Sequence, residues 1–318
     1  MRLAICIGTF RRPRLLGELL ESLSQLTFRK VQRPQIEIIV VDNDPSESAR
    51  EICQRPNKQL SIKYLVESRR GISHVRNTAF QEGLSADYIA FIDDDETASE
   101  HWLDELLWTC AEFRADVVAG PVRPIFEKNI AKWVKDSRCF HRTEYPTGTW
   151  IDKCATANVL ISTAVFARIP GFDDNFQLTG AEDTHFFLRV HRAGFRIVWS
   201  QEAVVDESIS ADRGNLKWIL HRGYQSGNSW VLCESLLDQR QSVRFARFCK
   251  AAVRAIGGFA ASLIAVPFSR ALAAKHLKNA FIGTGMIAGL AGQKYQAYQA
   301  HTEAPLDPGV RLNEPMSR

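Results

Sequence analysis

Four acidic residues in a row, Asp93-Asp94-Asp95-Glu96, directly follow the apolar run Tyr88-Ile-Ala-Phe-Ile92. A β-branched and aromatic run of this kind reads as a buried parallel strand. Carboxylates cannot continue it, because an unpaired charge inside a core costs roughly several kcal/mol. They gather instead at the strand's carboxyl end, where open α/β sheets hold their ligands. Side by side they repel one another unless a cation neutralises them. Hard oxygen donors suit Mg²⁺ or Mn²⁺, and Mg²⁺ typically rests on one or two carboxylates while substrate phosphates complete its shell. The chemistry on offer is a metal–diphosphate site. The alternative is an acidic turn opening the next helix, since Asp and Glu favour helix N-termini.

A second acidic pair, Glu182-Asp183, opens a helix predicted from Glu182 to about Ala193. Alone, it reads as the negative first turn of that helix. Adjacent helical residues point about 100° apart, so the two carboxylates should not share one role.

The first half of the chain supplies the elements that position these groups. Leu3–Ile7, Ile36–Val41, Leu60–Val66 and Tyr88–Ile92 read as strands. Helices are predicted from Pro13 to Leu26, from caps at Asp44 to Ser48 as far as Cys53, from Gly71 to Gly83, and from a Ser99 cap through Leu107. This alternation predicts an α/β fold with a doubly wound, mostly parallel sheet flanked by helices. Each of the four strands ends in polar or turn-forming residues: Gly8-Thr9, Asp42-Asn43-Asp44, Glu67 to Arg70, and Asp93 to Glu96. Their convergence on one sheet edge points to a ligand site more strongly than any one of them. Residues 122–150 read as an irregular insertion carrying Trp133, Phe140, Tyr145 and Trp150, before strands resume at Asn158–Ser162 and Gly194–Trp199.

At 318 residues the chain holds one large domain plus an appendage. Its seven cysteines are scattered with no CxxC pair, which argues against a disulfide framework and a structural zinc site. Met1-Arg2-Leu3 leads straight into the first strand, so no signal peptide and a reducing cytoplasm are expected. The net charge is only +4, yet Arg240 to Lys294 contains basic residues and no Asp or Glu. That asymmetry predicts an anionic surface as partner. Val243 to Gln293 reads as two helices broken around Pro267, neither with an uncharged run of the ~18–20 residues that a spanning helix needs. An interfacial anchor on an anionic membrane is favoured. A helical cap on the domain and a homodimer interface are the alternatives, and nucleic acid is set aside for want of a binding motif.

An ordered set of motifs resembles the family 2 glycosyltransferases with the GT-A fold. It comprises Cys6-Ile-Gly-Thr-Phe-Arg-Arg-Pro13, Val40-Val-Asp-Asn-Asp44, Gly71-Ile-Ser-His-Val-Arg-Asn77, Phe91-Ile-Asp-Asp-Asp-Glu96 and Gly180-Ala-Glu-Asp-Thr184. Phe91 to Leu103, Gly120-Pro121, Asn158 to Leu160 and Phe186 to Arg189 most resemble the succinoglycan-type exopolysaccharide branch. The resemblance implies that Thr9 and Asp42 hold the nucleotide, and that Arg76 steadies the acidic cluster or touches the nucleotide. It makes Asp95 the metal ligand with Asp93, places Asp93 and Asp94 toward ribose as well, and assigns Asp183 as general base. Trp150 and Glu182 are candidates for the acceptor side. Many relatives carry a late His that completes the metal site. Asp206-Glu207 stands there instead, read as solvated loop with Glu207 a further candidate ligand.

The implied activity is inverting transfer from a nucleotide-diphosphate sugar, UDP-linked by analogy, to a glycan or lipid-linked acceptor at the cytoplasmic face of the inner membrane. Residues 1–120 would form the nucleotide-sugar half of the GT-A domain and 121–238 the acceptor and base half. Residues 239–296 would form a basic amphipathic helical appendage and 297–318 a flexible tail. A catalytically silent binding subunit is the alternative. A sugar nucleotidyltransferase ranks behind it, because Gly8-Thr-Phe-Arg-Arg12 is too poor in glycine for that family's phosphate loop.

Overall fold

The computed structural model describes residues 1–55, 59–238 and 240–296, so the predicted tail at 297–318 lies outside the described residues. The first half alternates β1 (Arg2–Thr9), α1 (Pro13–Ser24), β2 (Gln35–Asp42), α2 (Arg50–Gln54), β3 (Ile62–Val66), α3 (Ile72–Gly83) and β4 (Tyr88–Ile92). Then come β5 (Glu96–Ala98), α4 (Trp102–Glu112), β6 (Val117–Ala119), β7 (Val122–Phe126), α5 (Lys132–Asp136), β8 (Asn158–Ser162), α6 (Ala164–Arg168) and α7 (Glu182–Arg192). The chain continues through β9 (Ile197–Trp199), β10 (Val205–Ile209), α8 (Leu216–Leu237), α9 (Gln241–Ala265) and α10 (Arg270–Leu290).

Seven strands form one sheet in the order β3-β2-β1-β4-β8-β6-β9. All neighbours run parallel except β8, which is antiparallel to both β4 and β6. Both faces are covered. Leu16, Leu19 and Leu23 of α1 pack with Trp102, Leu103 and Leu106 of α4 on one side. Phe80, Val165, Phe166, Phe186 and Phe187 of α3, α6 and α7 pack on the other. Burial on both faces explains why the strands read as unbroken apolar runs. The strand order reverses at β1, and the crevice at its carboxyl end is where such sheets receive ligands. Asn158 at the start of β8 ties the far half together. Its Oδ1 accepts from Trp102 Nε1 (2.8 Å), and its Nδ2 donates to the carbonyls of Pro121 (2.9 Å) and Ala203 (2.7 Å).

Three local expectations are corrected. Ser99 does not cap α4: His101 takes the cap position, and Trp102 N–H bonds the Ser99 carbonyl rather than its hydroxyl. The insertion at 122–150 is partly ordered. It contains β7 and α5, with Phe126, Trp133 and Phe140 packed around Val134, Ile209 and Trp218. Asp206-Glu207 is not loop but the middle of β10, whose ends Val205 and Ile209 are fully buried. β10 pairs antiparallel with β5 and parallel with β7 in a second, three-stranded sheet. Two anchored ends hold the polar middle in line, a pattern that composition alone does not display.

The appendage is helical and breaks between α9 and α10, as predicted around Pro267. Among the described residues α9 alone is long and apolar enough, by length and composition, to cross a membrane. Counting uncharged runs missed this, because such a window tolerates a basic residue within it.

Candidate active site

β1 ends at Thr9, whose hydroxyl donates to Asp94 Oδ2 at 2.8 Å. Arg12, three residues on, donates to Asp94 Oδ1 at 3.0 Å and Asp95 Oδ2 at 3.3 Å. Arg213, beyond β10, donates to Asp95 Oδ2 at 2.9 Å and also bonds Glu207. Arg142 reaches Glu207 at 3.3 Å. Burial pushes the carboxyls of Asp94 and Asp95 up, while Arg12 pulls both down and Arg213 adds to the pull on Asp95. Burial also works against charge on Glu207, but Arg213 and Arg142 outweigh it and hold its carboxyl below the usual range. The acids therefore remain together because arginines from three separate segments neutralise them.

The fourth acid of the run behaves differently. Glu96 is buried and accepts the Asp93 N–H at 3.0 Å. Burial, reinforced by Asp93, pushes its carboxyl well above the usual range, which favours the neutral acid. It closes the turn from β4 into β5 and belongs to the scaffold. A cavity of about 360 Å³ opens beside Asp95, lined also by Leu15, Glu18, Ile125 and Asp206.

Arg76 on α3 joins the two acidic clusters. It donates to Asp93 Oδ1 at 3.3 Å and pairs with Glu182 at the start of α7. Helix α3 is itself locked to the segment before α7. Asn77 exchanges hydrogen bonds with the Phe172 backbone (both 2.8 Å), and Ser73 Oγ donates to the Asp173 carbonyl at 3.0 Å. Gly71 opens α3 at φ +132°, and a Cβ there would lie 2.7 Å from Gln177 Cβ, so glycine is required by both backbone and space. Gly180 and Ala181, at φ 70° and 75°, turn the chain into α7. Asp183 follows, half-buried, with its Oδ1 accepting from Thr184 N–H at 2.5 Å and Thr184 Oγ1 at 3.2 Å. Cys233 Sγ of α8 donates to the Ala181 carbonyl at 3.4 Å.

The structure thus brings Thr9, Arg76, Asp93, Asp94, Asp95 and Glu182 into one connected network, with Asp183 next to Glu182 at its edge. Others take different places. Asp42 is fully buried, and its carboxylate accepts from the backbone N–H groups of Asp44 and Ala49 (both 2.9 Å) and from Tyr64 Oη (2.9 Å). It shapes the β2 loop from inside. Glu182 is 2 % exposed, so its carboxylate serves the Arg76 pair rather than an open acceptor surface. Trp150 is 65 % exposed beside Arg196 (5.4 Å from guanidinium to ring), bridged to Val198 at the outer edge of the sheet. Glu207 is engaged by two arginines. Sequence reasoning passed over Arg12, Arg142 and Arg213. Only Arg12 carried a signal, as a basic residue directly after a site-forming strand.

Glu67 closes the neighbouring loop. Its carboxylate accepts from Arg69 Nε at 3.0 Å and Nη2 at 2.8 Å, and from Thr78 Oγ1 at 2.7 Å. The Arg69 side chain, more than any other cause, holds its carboxyl at about 2 against an ordinary 4.5. A depressed folded-state value stabilises fully above pH 4.5 and less and less as pH falls toward about 2. Glu67→Gln should therefore flatten the acid limb of the stability curve across that window, measured by urea denaturation at stepped pH.

No three-carboxylate cage for a metal ion is assembled among the described residues. The all-oxygen donor set of Asp93 and Asp95 instead fits a Mg²⁺- or Mn²⁺-type ion that shares its coordination with a diphosphate, which needs only one or two carboxylates.

Comparison with known proteins agrees with this architecture. Residues 4–168 match the family model described as "Glycosyl transferase family 2". The chain is 32 % identical over 308 residues to the succinoglycan biosynthesis protein ExoM of Rhizobium meliloti (strain 1021), covering 92 % of this chain and 94 % of that one. It is 24 % identical over 258 residues to a glucosyl-dolichyl phosphate glucuronosyltransferase of Haloferax volcanii, covering 74 % and 77 %. Among solved structures, a mannosyltransferase from Pyrobaculum calidifontis in complex with GDP-Man and Mn²⁺ superposes with a TM-score of 0.64 at 16 % identity, covering 92 % and 88 % of the two chains. S. aureus TarS in complex with UDP gives 0.55 at 15 % identity, covering 93 % of each. A family match over half the chain and a full-length relative at that identity make this protein a member of glycosyl transferase family 2, with the GT-A type of fold.

Proposed function

We propose that this glycosyltransferase moves a sugar, with inversion, from a nucleotide-diphosphate sugar to a glycan or lipid-linked acceptor in surface or exopolysaccharide assembly. UDP is the expected carrier. The observation that carries the reading is that one acidic turn is held from both sides, Asp94 and Asp95 by Thr9 and Arg12, and Asp93 by Arg76, which also pairs with the first turn of α7. A strand-end clasp suited to a diphosphate and a helix start bearing a half-buried carboxylate are held as one rigid unit, which is what positioned catalysis requires.

In this reading the donor diphosphate lies over the carboxyl ends of β1 and β4, within reach of Arg12 and Arg213. Asp183 takes the proton from the acceptor hydroxyl as that oxygen attacks the anomeric carbon from the face opposite the nucleotide. Arg76 holds the two halves in register. Asp95 and Asp93 would hold a Mg²⁺ or Mn²⁺ ion, which when bound neutralises charge on the departing nucleotide diphosphate. ExoM's role in succinoglycan biosynthesis supports the exopolysaccharide setting, and the mannosyltransferase's complex with GDP-Man and Mn²⁺ supports the metal. The enzyme would work in the cytoplasm, peripherally on the inner membrane through its basic C-terminal helices, with homodimer formation the competing use of those helices.

Thermal stabilisation by UDP, GDP, dTDP and CDP, with and without Mn²⁺, tests the donor reading. A ligand at ~100 times its dissociation constant adds about 2.7 kcal/mol. A Mn²⁺-dependent shift for one nucleotide is expected, and its loss in Asp95→Ala. Folded protein that no nucleotide stabilises would replace this reading with the silent subunit.

A further inference from the structure

We propose that α9 lies in the plane of an anionic membrane, immersed lengthwise in one leaflet by a face of large apolar side chains, and does not cross the bilayer. This deepens the membrane location given above and rests on it, but is independent of the donor and base assignments.

Helix α9 is built inside out. The residues it buries against the protein are Arg247, Ala251, Ala255, Gly258, Ser262 and Ala265, small in every case but the first. The large ones point away: Phe245, Val253, Ile256, Leu263 and Ile264 are each about 70 % exposed or more, and Phe268 in the following turn is 82 % exposed. Soluble amphipathic helices bury the large apolar residues and show the polar ones. A contiguous apolar strip on a helix of 25 residues, ~37 Å at 1.5 Å per residue, is far more than a soluble monomer ordinarily leaves open.

The covered side explains the in-plane orientation. Gly258 and Gly283 let α9 and α10 approach until an added Cβ would lie 2.6 Å from Ala280 N and 2.5 Å from Ala255 N respectively. Ser262 Oγ donates to the Ala273 carbonyl (3.0 Å) and Arg254 Nε to Asn279 Oδ1 (2.5 Å) along the same seam. At one end Arg247 donates to the carbonyls of Glu234 (3.1 Å) and Asp238 (3.0 Å). Helix α10 is seated on α8, and its Lys278 Nζ reaches the Cys139 carbonyl at 2.5 Å. A helix zipped side-on to the soluble domain cannot turn end-on into a bilayer without opening this seam. Only its outer face is left for lipid.

Charge selects the occupant. Arg244, Lys250, Arg270 and Lys275 are exposed around the strip, and residues 241–296 contain no Asp or Glu. This pattern attracts anionic headgroups to the flanks while the apolar face enters the acyl boundary. A second copy of the chain would bring the same uncompensated positive charge against itself, which disfavours a two-fold pairing.

The test uses the intact protein with vesicles of phosphatidylcholine, alone or mixed with phosphatidylglycerol. Cys249 lies exposed on α9 while the other cysteines are buried or half-buried, so it accepts an environment-sensitive fluorophore. Expected are sedimentation with the anionic vesicles, weakened by salt, and a blue shift of the label. Ile256→Glu with Leu263→Glu should lower partitioning at least ~100-fold at unchanged thermal melting, because both side chains are exposed. Depth quenching should place labels at Cys249 and Phe268→Cys equally shallow. Labels at different depths would overturn the in-plane orientation while keeping the membrane location. Absence of vesicle binding would overturn both. A lipid-independent dimer that the double variant dissociates would assign the face to a second copy instead.

Discussion

Asp183→Asn is expected to lower kcat by about 10³-fold, the middle of the range that a positioned base typically contributes. Affinity for the nucleotide sugar should stay within about twofold, since the clasp proposed for the donor gathers at the ends of β1 and β4 and not on α7. The substitution is conservative where structure is concerned. Asn Oδ1 still accepts the Thr184 N–H that Asp183 takes at 2.5 Å, so the first turn of α7 keeps this contact. What is lost is the ability to accept a proton at neutral pH. Steady-state kinetics with calorimetric donor binding separates the two effects. Turnover equal to the parent enzyme would remove Asp183 from the reaction.

Arg76→Ala is expected to cost about 3–5 kcal/mol of stability, because it strands a buried charge. Glu182 is 2 % exposed and Arg76 9 %, so neither is compensated by water once its partner is gone. Glu182 Oε2 already lacks a hydrogen-bond partner among the described residues, which leaves Arg76 as the support of that carboxylate. Pairing Arg76→Met with Glu182→Gln should recover most of the loss, since removing both charges removes the desolvation cost of both. Urea denaturation of the single and double variants measures this. A loss under about 1 kcal/mol for Arg76→Ala would show that the pair is solvated. The double variant should fold yet lose the Asp93 contact of Arg76, so recovered stability without recovered activity would separate the two duties of this residue.

The legible parts of the chain were those whose physics is local. β1, β2 and β4 show as apolar runs because both faces of the sheet are covered, and Pro13 marks the start of α1. The acidic run was placed correctly at a strand end because charge cannot enter the core. The illegible parts depend on distant partners. β10 is a strand only because β5 and β7 flank it, and nothing in Val-Asp-Glu-Ser-Ile announces those neighbours. Glu96 looked like its three acidic neighbours yet faces inward, since the turn at Asp93 redirects it. Arg213 stands 118 residues from the Asp95 it neutralises. Asp42 and Glu182 were picked for the right places, but whether a carboxylate faces a ligand or the fold depends on which backbone N–H groups or arginines reach it first.

The lone antiparallel strand has a consequence for how the protein is made. β8 pairs with β4 on one side and β6 on the other, so the middle of the sheet is filled by a segment that leaves the ribosome after both. From the end of β4 the chain must grow by roughly 65 residues before β8 exists, about 3 to 13 s at ordinary translation rates. Until then Tyr88–Ile92 presents an apolar edge with unpaired backbone groups, the kind of edge that recruits other chains. Residues 1–120, expected to form the nucleotide-sugar half, should therefore not fold as a detachable module. Cut at that boundary, this half would keep Thr9, Arg12 and the acidic run but lose Arg213, on a sheet with its central seam open, and would be expected to aggregate before it could bind anything.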